Sequence, residues 1–160
     1  MLILGIDPGF ERMGFAVLDK SGPKEKLVYS CCIVTKRSDP HEKRLLHIRQ
    51  NLNKTISEFR PKVMAIESLF FAGNQKTAIK VAEARGVALC AAAENNLRVM
   101  ELTPLEVKMA LTGYGRAEKE QVRKMIAAIL KLEKPAKYDD EMDAIAIALA
   151  ASPRQIQADK

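Results

Sequence analysis

Long apolar runs are missing from this 160-residue sequence. The stretch at 144–151 is among the longest, and it stops far short of the roughly 20 residues that a bilayer span requires. No membrane-spanning helix is expected. No basic stretch precedes Leu2-Ile3-Leu4, and Asp7 ends that apolar run at once, so no secretory leader is expected either. Cysteine is scarce: Cys31, Cys32 and Cys90 are odd in number, and the adjacent pair could bridge only with strain. They also lack the spacing and the histidines of a zinc site. The expectation is reduced, mostly buried thiols in a cytoplasmic protein. The two histidines, His41 and His47, lie six apart on a polar helix face and read as surface residues, not ligands. Internal repeats, low-complexity tracts and Gly/Pro/Ser-rich linkers are absent as well. The chain therefore reads as a single domain over 1–152, with a flexible polar tail at 153–160.

What is present is a globular composition, 48% hydrophobic and 29% charged, which excludes disorder as the main state. Twenty-six basic and 20 acidic residues give a formal charge of +6. A basic surface around a small acidic pocket suits an enzyme that holds a polyanion and cuts it with metal ions.

The order of elements is mixed α/β. Residues 1–6 read as a buried strand, Pro8-Gly9 as a turn, and 13–18 as a hairpin partner. Ser21-Gly22-Pro23 turns the chain into a third strand at about 27–34. Ser38-Asp39-Pro40 opens a helix, with Ser or Asp as the expected cap, and Leu45, Ile48, Leu52, Ile56 and Phe59 recur along it. Val63 to Ile66 is a fourth strand, closed by Glu67. A helix over 76–96 is apolar on nearly every side, so a sheet and a second partner should cover it. Asn95-Asn96 ends it, 99–102 is the fifth strand, and Thr103-Pro104 starts a short helix. Helices over 118–132 and 139–151 complete the pattern.

Asp7 and Glu67 each follow a short, fully apolar strand, which places them at an edge of the same sheet. On the last helix, Met142, Ile145, Ala146 and Leu149 form the apolar stripe. At 100° per residue, Asp143 borders that stripe, and Asp139 and Asp140 lie one turn earlier on the same side. Favourable placement at the helix N-terminus accounts for Asp139, Asp140 and Glu141, but less well for Asp143 among its alanines. Carboxylates from two strand ends and one helix suit a pair of hard divalent ions. Helical spacing alone leaves open whether Asp139 or Asp140 joins Asp143.

Five segments carry a resemblance to one family: GIDPGFERMGFAVLD at 5–19, AIESLFFAGN at 65–74, EARGVALCAAA at 83–93, VKMALTGYGRAEKEQV at 107–122 and DDEMDAIAIALA at 139–150. In order and spacing the chain resembles RuvC-type Holliday junction resolvases. The resemblance implies a single-domain α/β protein with the ribonuclease H-like fold, a mixed five-stranded sheet flanked by helices. It implies Asp7, Glu67, Asp140 and Asp143 as catalytic, metal-binding acids, with Asp140 selected over Asp139 by the family pattern. Two Mg²⁺ ions per subunit are the implied cofactor, with Mn²⁺ as a substitute. Phe70 matches an aromatic residue that stacks on a base near the cut, a role an aromatic ring suits. Lys108 and Lys119 match lysines near the site. Arg116 and, more distantly, Lys76, Lys80 and Arg85 would extend the basic surface. The implied partners are four-way junction DNA, a second copy of the chain, and the RuvA-RuvB branch-migration complex. GIDPG also resembles the phosphate loop of actin-like and sugar-kinase ATPases, but those need two such domains and a second glycine-rich loop, and this chain has no adjacent glycine pair. A ribonuclease H-like nuclease for other nucleic acids lacks the junction-binding segments. A non-catalytic junction binder would not need the full set of acids.

Overall fold

The computed structural model describes residues 1–68, 75–132 and 136–158, with residues 75, 76 and 153–158 described by backbone alone. Strands β1 (Leu2–Asp7), β2 (Arg12–Asp19) and β3 (Lys26–Val34) form an antiparallel meander. Helix α1 (His41–Phe59) then returns the chain to β4 (Val63–Glu67), which pairs in parallel with β1. Helix α2 (Gln75–Glu94) leads to β5 (Arg98–Leu102), parallel to β4. The sheet order is β3-β2-β1-β4-β5, the mixed five-stranded, ribonuclease H-like arrangement expected. Helices α3 (Pro104–Thr112), α4 (Lys119–Leu130) and α5 (Asp139–Ala158) follow.

Side chains alternate across a strand, so each strand divides between two cores. Leu4, Ile6, Met13, Phe15, Met64 and Ile66 pack on the α1 and α2 side with Ile48, Leu52, Ala84 and Ala88. Ile3, Ala16, Leu18, Val63 and Ala65 pack on the other face with α5, α3 and α4. Helix α5 lies unusually close to the sheet. A Cβ on Gly5 would stand 2.3 Å from the Ala144 carbonyl oxygen, and one on Gly14 would stand 1.8 Å from that of Asp140. Glycine in β1 and β2, facing alanine on α5, permits that approach.

Several expectations change in detail. Asp7 and Glu67 are the last residues of their strands, not the first beyond them, because pairing continues to Asp7 with Gly14 and Glu67 with Leu102. Neither Ser38 nor Asp39 caps α1; Pro40 holds that position with no side-chain hydrogen bond, and its carbonyl accepts from the Arg44 N–H at 3.1 Å. Asn96 does end α2, in the left-handed region at φ 54°. The α5 backbone stays helical to Ala158, past residue 152. Cys90 is exposed, on the outer side of α2, and is no buried filler; Cys31 and Cys32 are half-buried and free. Burial, followed by the field of Asp140, pushes the Cys32 thiol up to about 11. His41 is not a bare surface residue: its Nε2 pairs with Glu83 at 2.6 Å and its ring packs edge-on against Phe10.

Candidate active site

The two-residue period that sorts the core also aims the acids. Asp7 lies on the Ile3/Gly5 face of β1, and Glu67 on the Val63/Ala65 face of β4, so both face α5. β1 and β4 are neighbours in register, Ile6 opposite Ile66, which sets the two carboxylates side by side at one end of the sheet. On α5, the turn that crosses Gly14 and Gly5 carries Asp140 and Asp143. Four carboxylates thus meet at one end of three elements.

Their electrostatics show the crowding. Burial, then the charges of Asp143, Glu67 and Asp140, push Asp7 from an ordinary 3.8 up to about 8, with Lys119 opposing. Glu67 is also raised, by burial and then by Asp143, again against Lys119. Two cations draw the outer acids apart. Lys119 Nζ donates to Asp143 Oδ2 at 2.9 Å and lies 3.5 Å from Asp139 Oδ2. Arg12 Nε lies 3.1 Å from Asp140 Oδ2 without the alignment of a hydrogen bond, so that buried oxygen is ion-paired but accepts no hydrogen bond. Among the described residues, no three His, Cys, Asp or Glu side chains stand close enough together to hold one ion. Asp140 and Asp143 each lie against a cation of the chain, Arg12 and Lys119. Even so, the group is a hard-oxygen donor set in which one buried carboxylate oxygen accepts no hydrogen bond, and it fits a divalent cation. Asp139 turns away, bonded to Arg123 Nη2.

The lysines are placed by helix starts. Thr103 and Glu106 form a capping box with Pro104 in the first turn, which fixes α3 and aims Lys108. Glu118 and Gln121 do the same for α4 and Lys119. Lys108, Lys119, Glu67 and Asp143 line a cleft of about 230 Å³ together with Pro104 and Val107. Burial works against the Lys119 charge, but its hydrogen bond to Asp143 and the fields of Asp143 and Asp139 hold its pKa above the ordinary value. Arg116 is exposed in the α3–α4 connection. Phe70 lies outside the described residues, as does the side chain of Lys76.

Arg85 corrects the expectation of an extended basic surface. Its guanidinium is mostly buried: Nε donates to the Glu67 carbonyl at 3.2 Å, and Nη2 pairs with Glu101. It braces the end of β4. Lys80 stands over the Phe10 ring at 5.3 Å. Sequence reasoning also missed the brace on the loop after Asp7. Buried Arg44 donates to Thr35 Oγ1 at 2.8 Å and to the Phe10 carbonyl at 3.3 Å, and the Thr35 hydroxyl donates to that carbonyl at 2.7 Å. An arginine between apolar positions of α1 was the available signal.

The family model for crossover junction endodeoxyribonuclease RuvC matches residues 3–151. The chain belongs to the RuvC family. It is similar to proteins named crossover junction endodeoxyribonuclease RuvC from Natranaerobius thermophilus, 46% identical over 152 residues, and Petrotoga mobilis, 45% over 148. Those alignments cover 95% and 92% of this chain, and 94% and 91% of the relatives. Among solved structures, T. thermophilus RuvC in complex with Holliday junction substrate superposes with a TM-score of 0.93 at 33% identity, covering 99% of this chain and 96% of that one. The yeast mitochondrial Holliday junction resolvase shares the fold, with a TM-score of 0.71 at 15% identity, over 98% of this chain and 80% of its own. RuvC nucleases use divalent metal ions, in keeping with the carboxylate set at the end of β1, β4 and α5.

Proposed function

We propose that the protein is an endonuclease that resolves four-way Holliday junctions by paired, symmetric nicks, leaving 5′-phosphate and 3′-hydroxyl ends. The observation that carries this reading is the meeting of Asp7, Glu67, Asp140 and Asp143 at one sheet end, where burial and then mutual repulsion push Asp7 to about 8. Family membership gives the substrate class. Carboxylates crowded in this way repel one another when ionised and are suited to sharing hard cations.

Asp7, Glu67, Asp140 and Asp143 would hold two Mg²⁺ ions, with Mn²⁺ as a substitute. When bound, such ions lower the pKa of a water and offset charge on a leaving oxygen. The chain's own residues supply the rest. Asp7 must give up its proton before it can act as a ligand. Lys119, released from Asp143, is free to pair with a phosphate oxygen as negative charge develops. Lys108 adds a second positive charge across the same cleft, and Arg116 extends that charge along the backbone. Phe70, three residues past Glu67, is suited to replacing lost stacking where bases part near the cut. Lys76, at the start of α2, would add to the backbone contacts.

A homodimer fits the two-fold symmetry of a four-way junction. On α2, Ala84, Ala88, Ala91 and Ala92 are buried against the chain's own core, while Ile79, 60% exposed, and Cys90 lie outward among Lys80 and Glu83, where a second copy would cover them. Action in the cytoplasm beside a RuvA-RuvB complex follows from the family alone. Among the described residues no helix is long and apolar enough to cross a membrane.

A nicking assay tests the reading: a synthetic four-way junction and a matched duplex, each with and without Mg²⁺. Symmetric, metal-dependent nicks on the junction alone are expected. Equal cutting of both substrates would reduce the protein to a general nuclease, and binding without cutting would make it a binding module.

A further inference from the structure

The connection between α3 and α4 presents an aromatic ring to solvent on a fixed frame. Tyr114 is 58% exposed. Its backbone is held on every side. Gly113, at φ 72°, closes α3 and donates to the Met109 carbonyl at 2.9 Å. The Tyr114 N–H donates to Thr112 Oγ1 at 3.1 Å, and that hydroxyl lies 2.8 Å from the Lys108 carbonyl and 3.0 Å from the Tyr114 carbonyl. Ala117, itself buried, donates to the Tyr114 carbonyl at 3.0 Å.

Two further apolar residues flank this loop. Leu105 and Met109, one turn apart on α3, are 57% and 48% exposed. The loop folds back on the first of them: a Cβ on Gly115 would stand 3.0 Å from Leu105 Cγ. The opposite face of α3 is satisfied by burial of Val107 and Leu111. Pro104, next to Leu105, lines the carboxylate cleft, and Lys108 and Lys119 carry that cleft's positive charge from either side of the loop. Arg116 adds an exposed cation two residues on.

We infer that Tyr114, with Leu105 and Met109 beside it, is a stacking platform for a nucleobase of the DNA strand beside the scissile phosphate. The inference rests on the nuclease reading above. A polyanion drawn along Lys108, Arg116 and Lys119 would find in Tyr114, Leu105 and Met109 an exposed apolar face for its bases beside those cations. Every base has a π-face, so an aromatic ring held in advance by its backbone suits it, with little further ordering on binding. Leu105 and Met109 are the helix neighbours of Pro104 and Lys108, which line the cleft, and the cations beside this face favour the substrate strand over a separate protein partner.

The test is junction binding across a range of salt, in Ca²⁺ to limit cutting, with 2-aminopurine next to the scissile position. Wild type, Tyr114→Phe, Tyr114→Ala and Lys108→Ala are compared. Tyr114→Phe should match wild type. Tyr114→Ala should lose roughly tenfold in affinity at every salt concentration, with an unchanged salt slope, and lose the 2-aminopurine signal. Lys108→Ala should lower the slope by about one. An exposed ring leaves Tm unchanged, which separates the effect from misfolding. Wild-type affinity and signal in Tyr114→Ala would overturn the inference, as would a loss seen only when a second protein is added. If wild type neither binds nor cuts junctions, the nuclease reading fails instead.

Discussion

The carbonyl of Asp140 sits directly over Gly14: a Cβ there would meet that oxygen at 1.8 Å. Gly14 is also the residue opposite Asp7 in the β1–β2 register. One missing side chain thus sets the distance between the strand that carries Asp7 and the helix turn that carries Asp140 and Asp143. The contact atom is backbone, so the helix must shift to admit a methyl group. Gly14→Ala should cost about 1–3 kcal/mol. That lowers Tm by several degrees in a chain of this size. Cleavage should fall more than tenfold at temperatures where the variant is fully folded, with a rise in the metal concentration needed. A thermal melt paired with a metal titration checks both. A loss of stability with unchanged metal dependence would show that the gap serves packing alone.

The raised pKa of Asp7 has a definite sign for stability. Without metal, the folded protein keeps a proton on Asp7 up to about pH 8, whereas the unfolded chain releases it near 3.8. The contribution is therefore full below about pH 4 and is lost as pH rises through about 8. Asp7→Asn cannot ionise, so in EDTA at pH 8.5 it should melt higher than wild type, by roughly 5 °C if about 2 kcal/mol of the strain survives solvent screening. Near pH 4 the two proteins should melt alike. Asp7→Asn should also lose cleavage while keeping junction affinity. In wild type, metal binding should strengthen with pH up to about 8 and release protons, which calorimetry in two buffers reads directly.

How the sequence foreshadows this site depends on whether the determining contacts are local. Asp7 and Glu67 were legible because an acid ending an apolar strand is a short-range pattern, and Asp143 because helical spacing places it beside a stripe. Gly14 was not, since its neighbour Asp140 is far along the chain and only the β1–β2–α5 packing joins them. Arg85 read as surface charge for the same reason: the Glu67 carbonyl and Glu101 reach it on α2 from strands β4 and β5. The choice between Asp139 and Asp140 turned on family pattern, because both occupy the same turn. In the fold Asp140 adjoins Asp7, while Asp139 goes to Arg123 and Lys119.

Lys119 bridges the acids and the cleft. Its charge lowers both Asp7 and Glu67, and its own pKa is held high by Asp143 and Asp139. Lys119→Met keeps the stem but removes that charge. The rate-versus-pH curve should move to higher pH as Asp7 and Glu67 rise. The plateau should also drop by about 100-fold through loss of the positive charge near the phosphate. Lys119→Arg should restore the pH profile better than the plateau, because a guanidinium differs in shape from a point-charge ammonium. A plateau unchanged in Lys119→Met would confine this lysine to tuning the acids.

Arg85 offers the sharpest separation between holding a residue and touching substrate. It donates to the backbone of Glu67 and pairs with Glu101, so it fixes the end of β4 without entering the cleft. Its loss frees a part-buried carbonyl and an exposed carboxylate from their shared partner, which costs about 1 kcal/mol. Arg85→Ala should therefore lower Tm by a few degrees and lower kcat, while KM for junction DNA stays near wild type. Arg85→Lys can reach only one of the two acceptors and should recover part of the stability but little of the rate. If Arg85→Ala instead weakens DNA binding and flattens its salt dependence, the residue contacts phosphate and belongs to the basic surface that its charge first suggested.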